Sequence, residues 1–375
     1  MARYVNLQVG DPAPWFQART EQNPRYCFDT VGGRYVVLCF VGSTCDAVGQ
    51  SMLADIKSAR DLFTDEKACL FGVSHDPSDQ EENRYLTLTP GIRWFWDFDA
   101  KVGRQYGSVD HDLPENSEPD RWRRFWLVLD PTLRIMLRVE VTNQSNGSAA
   151  VMDYVRRLPP PHRFVGFDVQ APVLVLPRVF EPELCQDLIA AYEAAGGEES
   201  GFMRQIDGKT HLIKDKSHKV RRDFMIDDET LRARTLRNIV RRVSPEIQKV
   251  HNFTVSRMER YIVACYAAEE GGHFNAHRDN TTSGTAHRRY AVSINLNDDF
   301  DGGEVFFPEY GPRSFKPPAG GAVVFSCSLL HAVTYVTRGK RYAFLPFLYD
   351  EQAASIRAAN NDLLADARLK YSATA

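Results

Sequence analysis

No two of the seven cysteines stand in a CxxC pair, and their positions, 27, 39, 45, 69, 185, 265 and 327, follow no framework spacing. A disulfide-stapled scaffold is thereby excluded, and a reducing cytoplasm fits best. No run of about 18 apolar residues occurs, so no membrane-spanning helix and no membrane partner is expected. The opening residues, MARYVNLQVGDPAPWF, lack a basic region followed by an apolar stretch, which predicts an unexported, cytoplasmic chain. An excess of one charge sign is also missing. Lys and Arg number 46 against 49 Asp and Glu, a net charge of -3 that gives no global attraction to nucleic acid or anionic lipid. There is no internal repeat and no low-complexity tract.

What is present is ordinary globular composition, with 43% hydrophobic and 25% charged residues. At 375 residues the chain exceeds what one core usually supports, so two domains are expected. RRLPPPHR holds three consecutive prolines, which continue neither a helix nor a central strand. The expected division is a first domain over 1–158, a proline-rich linker over 159–168, a second domain over 169–350 and a helical tail over 351–375.

In the first domain RYVVLCFVG reads as a buried strand, DAVGQSMLADIKSARDLF as a helix and ACLFGVSHD as a strand. FWLVLD and RIMLRVEV form a strand pair across Asp130-Pro131. This is an α/β domain. In the second, PELCQDLIAAYEAA is a helix with Pro182 in its first turn and Gly196 at its end. A second helix is expected over ETLRARTLRNIVRRVSPEIQKVH. Seven short strands then follow without intervening helices: RYIVACYA, HFNAHRD, RYAVSINLN, GGEVFF, GAVVFS, AVTYVT and RYAFLPFLY. They predict a sandwich or jelly roll. The tail, with Ile356, Leu363, Leu364 and Leu369, reads as a packing helix or a homodimer helix.

In HFNAHRDN, His277 and Asp279 are two residues apart, which on a strand puts both side chains on one face. His331 follows the apolar strand GAVVFS, where a jelly roll can bring it against that pair. Two imidazoles and one carboxylate on one face leave coordination positions open, the ligand set of oxygen-activating Fe(II). Ten residues beyond His331, Arg341 offers a planar fork to a carboxylate. A dicarboxylate could chelate iron at one end and meet Arg341 at the other. His273 and His277 have the spacing of a helical zinc-protease pair, but Gly271-Gly272 and the missing HExxH glutamate argue against it. His273 and His287 read as pocket-rim or surface histidines; His211, His218 and His251 as structural ones.

Together these residues resemble the catalytic core of prolyl 4-hydroxylase-type 2-oxoglutarate and Fe(II)-dependent oxygenases over Tyr266 to Tyr349. HRD, DGGEVFF and HAVTYVTRGKR carry the likeness, and VLVLPRVFEPELCQDLIAAYEA resembles the family's entry strand and helix. The resemblance implies a double-stranded β-helix in which His277, Asp279 and His331 bind iron. It implies that Arg341 takes the distal carboxylate of 2-oxoglutarate and that Tyr266 assists it, although a core tyrosine explains Tyr266 equally well. The implied reaction consumes O2 and 2-oxoglutarate, releases succinate and CO2, and hydroxylates a C–H bond of a peptidyl residue or small molecule, with ascorbate as an optional reductant.

Residues 8–140 resemble the peroxiredoxin branch of the thioredoxin fold, through QVGDPAPWF, RYVVLCFVGSTC, ACLFGVSHDPSDQEENR and RRFWLVLD. The active-site motif departs from the family's PxxxTxxC: Gly42 and Leu38 stand three and seven residues before Cys45. Cys45 lies between a strand and a helix N-terminus, which favours thiolate, while Asp46 opposes it. Arg124 falls where the family places a thiolate-activating arginine. Redox chemistry at Cys45 and a degenerate docking domain are both open readings; Cys39 reads as buried filler.

The connector KTHLIKDKSHKVRRDFMI concentrates Lys and Arg ahead of the oxygenase core. There it could line the substrate mouth and attract an acidic peptide, a phosphorylated molecule or nucleic acid, but the interspersed Asp215, Asp223, Asp227 and Asp228 favour a solvated face, and without stacking aromatics nucleic acid is not expected. Beside the oxygenase stand two alternatives, a thiol peroxidase using Cys45 with the second domain as an interaction module, and a non-enzymatic scaffold.

Overall fold

The structure is a computed structural model that describes residues 3–114, 121–366 and 370. It divides into two compact units, Met1–Gln170 with Pro308–Gly311, and Ala171–Phe307 with Pro312–Ala375. Within the proline-rich stretch, Pro161–Arg163 forms a single 3-10 turn.

In the first unit a five-stranded sheet runs in the order Ile92–Trp96, Ala68–Ser74, Tyr35–Gly42, Phe125–Leu129, Ile135–Glu140. The first three are parallel, and the last two join antiparallel. Tyr35–Gly42 is buried along its whole length because alternate residues serve two cores. Val37 and Cys39 pack with Met52 and Ile56 of the helix Ala47–Ser58 and with Val151 and Val155 of Ser148–Arg157. Val36, Leu38 and Phe40 pack on the other face with Val102 and Tyr106 of Lys101–Tyr106. A sheet covered on both faces explains the nearly unbroken apolar runs of its central strands. This is the expected thioredoxin-like α/β domain.

The second unit is built on two antiparallel sheets. The larger includes, in hydrogen-bonded order, Arg257–Glu259, Phe347–Tyr349, Tyr290–Asn295, Lys340–Phe344, Ile262–Ala267, Arg222–Met225 and Glu198–Glu199, with Ala322–Ser326 and Leu174–Leu176 added beside Tyr290–Asn295. The smaller runs Lys219–Val220, His273–His277, His331–Val333, Val305–Phe306, Ser314–Phe315. Ala264 and Tyr266 of the larger meet Phe274 and Val333 of the smaller in one apolar cluster, so the expected jelly-roll interior lies between them. The helices Pro182–Ala195 and Glu229–Arg242 cover the outer face of the larger sheet through Leu184, Leu188 and Ile239.

Three expectations need correction. The single helix over 229–251 is two, Glu229–Arg242 and Ser244–His251, because Pro245 in the first turn of the second cannot donate into the first. AVTYVT is not one strand: His331–Val333 and Val336–Arg338 belong to different sheets, separated at Thr334 and Tyr335. The connector is not a solvated face throughout: it opens with Lys209–Ile213, paired in a hairpin with Phe202–Ile206, and goes on to the strands Lys219–Val220 and Arg222–Met225, where Lys219 and Arg221 are buried. The tail forms the helix Glu351–Ala359, and Leu364 then bridges to Thr210, so it packs within its own chain; Leu369 lies outside the described residues.

Candidate active site

His277 ends its strand and His331 begins the neighbouring one, and the two are cross-strand partners. Opposed residues on adjacent strands share a face, which sets the rings 4.2 Å apart, centroid to centroid. Asp279 lies just past the strand end rather than on it, contrary to the same-face argument from spacing. Its position comes instead from its backbone N–H, which donates to Cys327 O at 2.9 Å. Asp279 Oδ1 is 3.6 Å from His277 Nε2 and Oδ2 is 3.4 Å from His331 Nε2.

The donor chemistry fits an ion. One ligand atom from each of the three residues lies within 4.8 Å of the others. Two ligands at right angles, each about 2.1 Å from one ion, stand about 3 Å apart, so small side-chain adjustments close the set. Nδ1 of His277 faces Asn275 O at 2.8 Å, and Nδ1 of His331 faces Leu329 O at 3.0 Å. A carbonyl only accepts, so each Nδ1 carries its hydrogen and each Nε2 presents a lone pair. Burial, with His331 alongside, pushes His277 down to about 4, which keeps that lone pair free at neutral pH.

Across the interior, Arg341 pairs in register with Tyr266. Its side chain is 1% exposed; Nε donates to Asn295 Oδ1 at 2.9 Å and Nη2 to Ser293 Oγ at 2.7 Å. Nη1 is buried and has no partner among the described residues. Burial and the nearby Arg221 push Arg341 down to about 10, the mark of a cation short of an anion. An orphaned donor of this kind is costly unless something accepts from it, and a carboxylate is the fitting acceptor. Gly303, at φ +64, belongs to this wall: a Cβ there would stand 2.8 Å from Val336 Cγ2 and 3.1 Å from Arg341 Cδ.

One pocket, with a cavity volume of about 60 Å³, joins the two halves, lined by His277, Asp279, His331, Tyr266, Ser293 and Arg341 among others. Phe325, Val305, Val333 and Phe347 supply apolar walls, and Phe274 stacks on His277 at 3.5 Å. Two further lining residues, Arg221 and Arg260, were not singled out from sequence, although the connector that holds Arg221 was one candidate lining of the substrate mouth. Arg221 grips Asp223 through Nε and Nη2 at 2.6 and 2.7 Å and donates from Nη1 to Tyr266 Oη at 3.3 Å. The signal for Arg221 was the density of basic residues in KVRRDF, which equally describes a surface; Arg260, in SRMERY, lies outside that stretch.

Residues 261–349 match the 2OG-Fe(II) oxygenase superfamily, and residues 9–135 match the AhpC/TSA family. A PKHD-type hydroxylase of Paracoccus denitrificans is 35% identical over 164 residues, 39% of this chain and 70% of that protein. The chain belongs to the 2OG-Fe(II) oxygenase superfamily. A PKHD-type hydroxylase of Cupriavidus metallidurans is 41% identical over 85 residues, 20% of this chain and 37% of its own length. Among solved structures, a prolyl hydroxylase from Trichoplax adhaerens aligns at TM-score 0.39 with 16% identity, covering 49% of this chain and 86% of that one. Peroxidoxin BcpB from Mycobacterium tuberculosis aligns at 0.34 with 15% identity, covering 41% and 99%. The 2OG-Fe(II) oxygenase carries an N-terminal thioredoxin-like domain, and is a 2-oxoglutarate- and Fe(II)-dependent dioxygenase that uses O2.

The oxygenase's other sequence candidates separate. His273 and His287 are buried, 3% and 2% exposed, and neither is a surface histidine; neither lines the pocket, and His287 lies 3.1 Å from Glu259 within a buried ion cluster. Cys39 is fully buried, as expected. Cys45 is exposed, one residue before Asp46, which caps Ala47–Ser58 through Gly49 N. Arg124 does reach this loop, but its N–H groups go to Val41 O, Ser43 O and Asp46 Oδ2 at 2.6, 3.1 and 2.9 Å. A carboxylate, not a sulfur, therefore holds the helix N-terminus and the guanidinium.

Proposed function

We propose that His277, Asp279 and His331 hold the iron and that Arg341, with Tyr266 at its side, receives the distal carboxylate of 2-oxoglutarate, for hydroxylation of a peptidyl residue or small molecule. The observation that carries this reading is the buried Nη1 of Arg341, without a partner among the described residues, in the same pocket as the three candidate ligand side chains. When bound, Fe(II) with 2-oxoglutarate and O2 supplies the oxidation of a C–H bond, coupled to release of succinate and CO2, with ascorbate as an accessory reductant.

The chain's own groups prepare that chemistry. Nδ1–H bonds to main-chain carbonyls aim both imidazoles. Asn295 and Ser293 fix the plane of the Arg341 guanidinium and leave one edge open, so a carboxylate meets it in a single orientation. Phe325, Val305, Val333 and Phe347 exclude water from the space between, where electrostatic contacts act at low dielectric.

The test is anaerobic addition of Fe(II) and 2-oxoglutarate followed by an oxygen pulse, with succinate measured in the presence and absence of candidate substrate pools. Binding of both and succinate release are expected. Failure to bind either would overturn the reading. A peroxidase reading is weaker, because Arg124 is committed to Asp46 and to two carbonyls. Seven free cysteines suit a reducing cytoplasm, the compartment proposed here.

A further inference from the structure

The pocket holds more positive charge than the metal ligands and cosubstrate account for. Besides Arg341, two guanidiniums line it, those of Arg221 and Arg260. They share one carboxylate: Arg221 takes Asp223 through two nitrogens, and Arg260 Nη2 reaches the same Asp223 Oδ2 at 3.3 Å. The next carboxylate along, Glu259, is already taken by Arg288 at 2.7 Å and Arg357 at 2.8 Å. Lys219 does not line the pocket; it donates to Ser200 Oγ and Gly201 O, and burial and Arg221 push its ammonium well below the usual lysine range. Two guanidiniums against Asp223 leave one positive charge without a counterpart.

That surplus sits on Arg260. Arg221 is 4% exposed and its nitrogens are engaged with Asp223, Ser200 and Tyr266. The Arg260 side chain is 27% exposed and, among the described residues, makes a single long bond, to Asp223, with its guanidinium 5.4 Å from the centre of the Phe347 ring. Burial, with Arg221 and Arg288 alongside, pushes Arg260 down to about 10. Its backbone adopts φ +67, a left-handed conformation unusual for a residue with a side chain. Strain of this kind persists where the surroundings impose it, commonly at ligand clamps.

We propose, resting on the metal and cosubstrate reading above, that the substrate carries a carboxylate and that Arg260, backed by Arg221 and Asp223, receives it inside the pocket. A planar fork with one unmatched charge fits a planar monoanion. The carboxylate could belong to a small organic acid or to the end of a short peptide; the recognising chemistry is the same.

The test uses full-length protein loaded with Mn(II) and saturated with 2-oxoglutarate, so that no turnover occurs. N-acetyl amino acids and N-acetyl tripeptides are each offered as the free acid and as the carboxamide. Binding is read by calorimetry and by paramagnetic broadening of probe protons near Mn(II). Acids are expected to bind and broaden where their amides do not, and the two probe sets separate a small-molecule source from a peptide one. Arg260→Gln should weaken acid binding by about tenfold or more while 2-oxoglutarate affinity stays within about twofold. Arg341→Gln should do the reverse, and Arg260→Lys should retain part of the acid preference, which distinguishes lost charge from lost fold. Equal behaviour of acids and amides, including no binding by either, overturns the proposal, as does loss of 2-oxoglutarate affinity in Arg260→Gln. If wild-type protein with Mn(II) takes up no 2-oxoglutarate, it is the underlying cosubstrate reading that fails.

Discussion

At the residue scale the site depends on a few atoms whose partners are known. Replacing Asp279 by Ala removes the one anionic ligand of the proposed set and leaves only the two imidazoles; metal affinity is expected to fall about 100-fold or more, measured with Mn(II) by calorimetry. Arg341→Gln keeps the shape of the wall but removes the charge that Asn295 and Ser293 orient. A charge-assisted bond is worth about 2 to 3 kcal/mol, so the 2-oxoglutarate Kd should rise roughly 30- to 150-fold with Mn(II) affinity unchanged. The clustering residues His277, Asp279 and His331, proposed as ligands, and Arg341 could be picked out of the sequence because each stands at a fixed step from a recognisable apolar strand. Ser293 and Asn295 were not, since a polar residue alternating along a strand looks the same whether it faces water or a buried guanidinium. Arg221 and Asp223 misled for a related reason: mixed basic and acidic residues look solvated, and only the pairing of Arg222–Met225 with Ile262–Ala267 buries them.

At the scale of elements, turns and strand ends place the site more than strand interiors do. Gly303 carries the clearest prediction. Ala at φ +64, in contact with Val336 and the Arg341 side chain, combines left-handed strain with overpacking. Gly303→Ala should cost about 2 kcal/mol or more, read as a lowered Tm, and should also weaken 2-oxoglutarate binding. His218 reports on the hairpin beside the smaller sheet, where its ring lies 4.4 Å from that of Phe202 and 5.5 Å from that of Phe274. Burial, with Arg204 nearby, pushes His218 down to about 4 from an ordinary 6.5. Between those values the unfolded chain binds a proton that the folded chain does not, so stability falls as pH drops from about 6.5 towards 4. Thermal melts of metal-free His218→Asn should show a shallower loss over that window; an unchanged slope would remove His218 as a cause.

For the whole molecule, the division into an α/β unit and a sheet-rich unit follows from the periodicities themselves, long apolar strands alternating with helices before the prolines and short alternating strands after them. The break within 229–251 was visible as Pro245, yet the helical pattern continues across it and hides the end of the first helix at Arg242. The departures from the peroxiredoxin motif around Cys45 have a structural counterpart in Asp46, which takes both the helix N-terminus and Arg124. Cys45→Ser is therefore expected to leave succinate formation within about twofold of wild type, the size of a surface change; a larger loss would show that the first unit takes part in turnover.

The carbonyls that accept from His277 and His331 are each two residues earlier on the same stretch of chain, at Asn275 and Leu329. Such short-range tethering needs no ion to maintain it. Emptied protein should keep both rings aimed and refill with a divalent ion at a speed set by encounter rather than by refolding, so chelation followed by resupply ought to return full 2-oxoglutarate uptake without a slow phase.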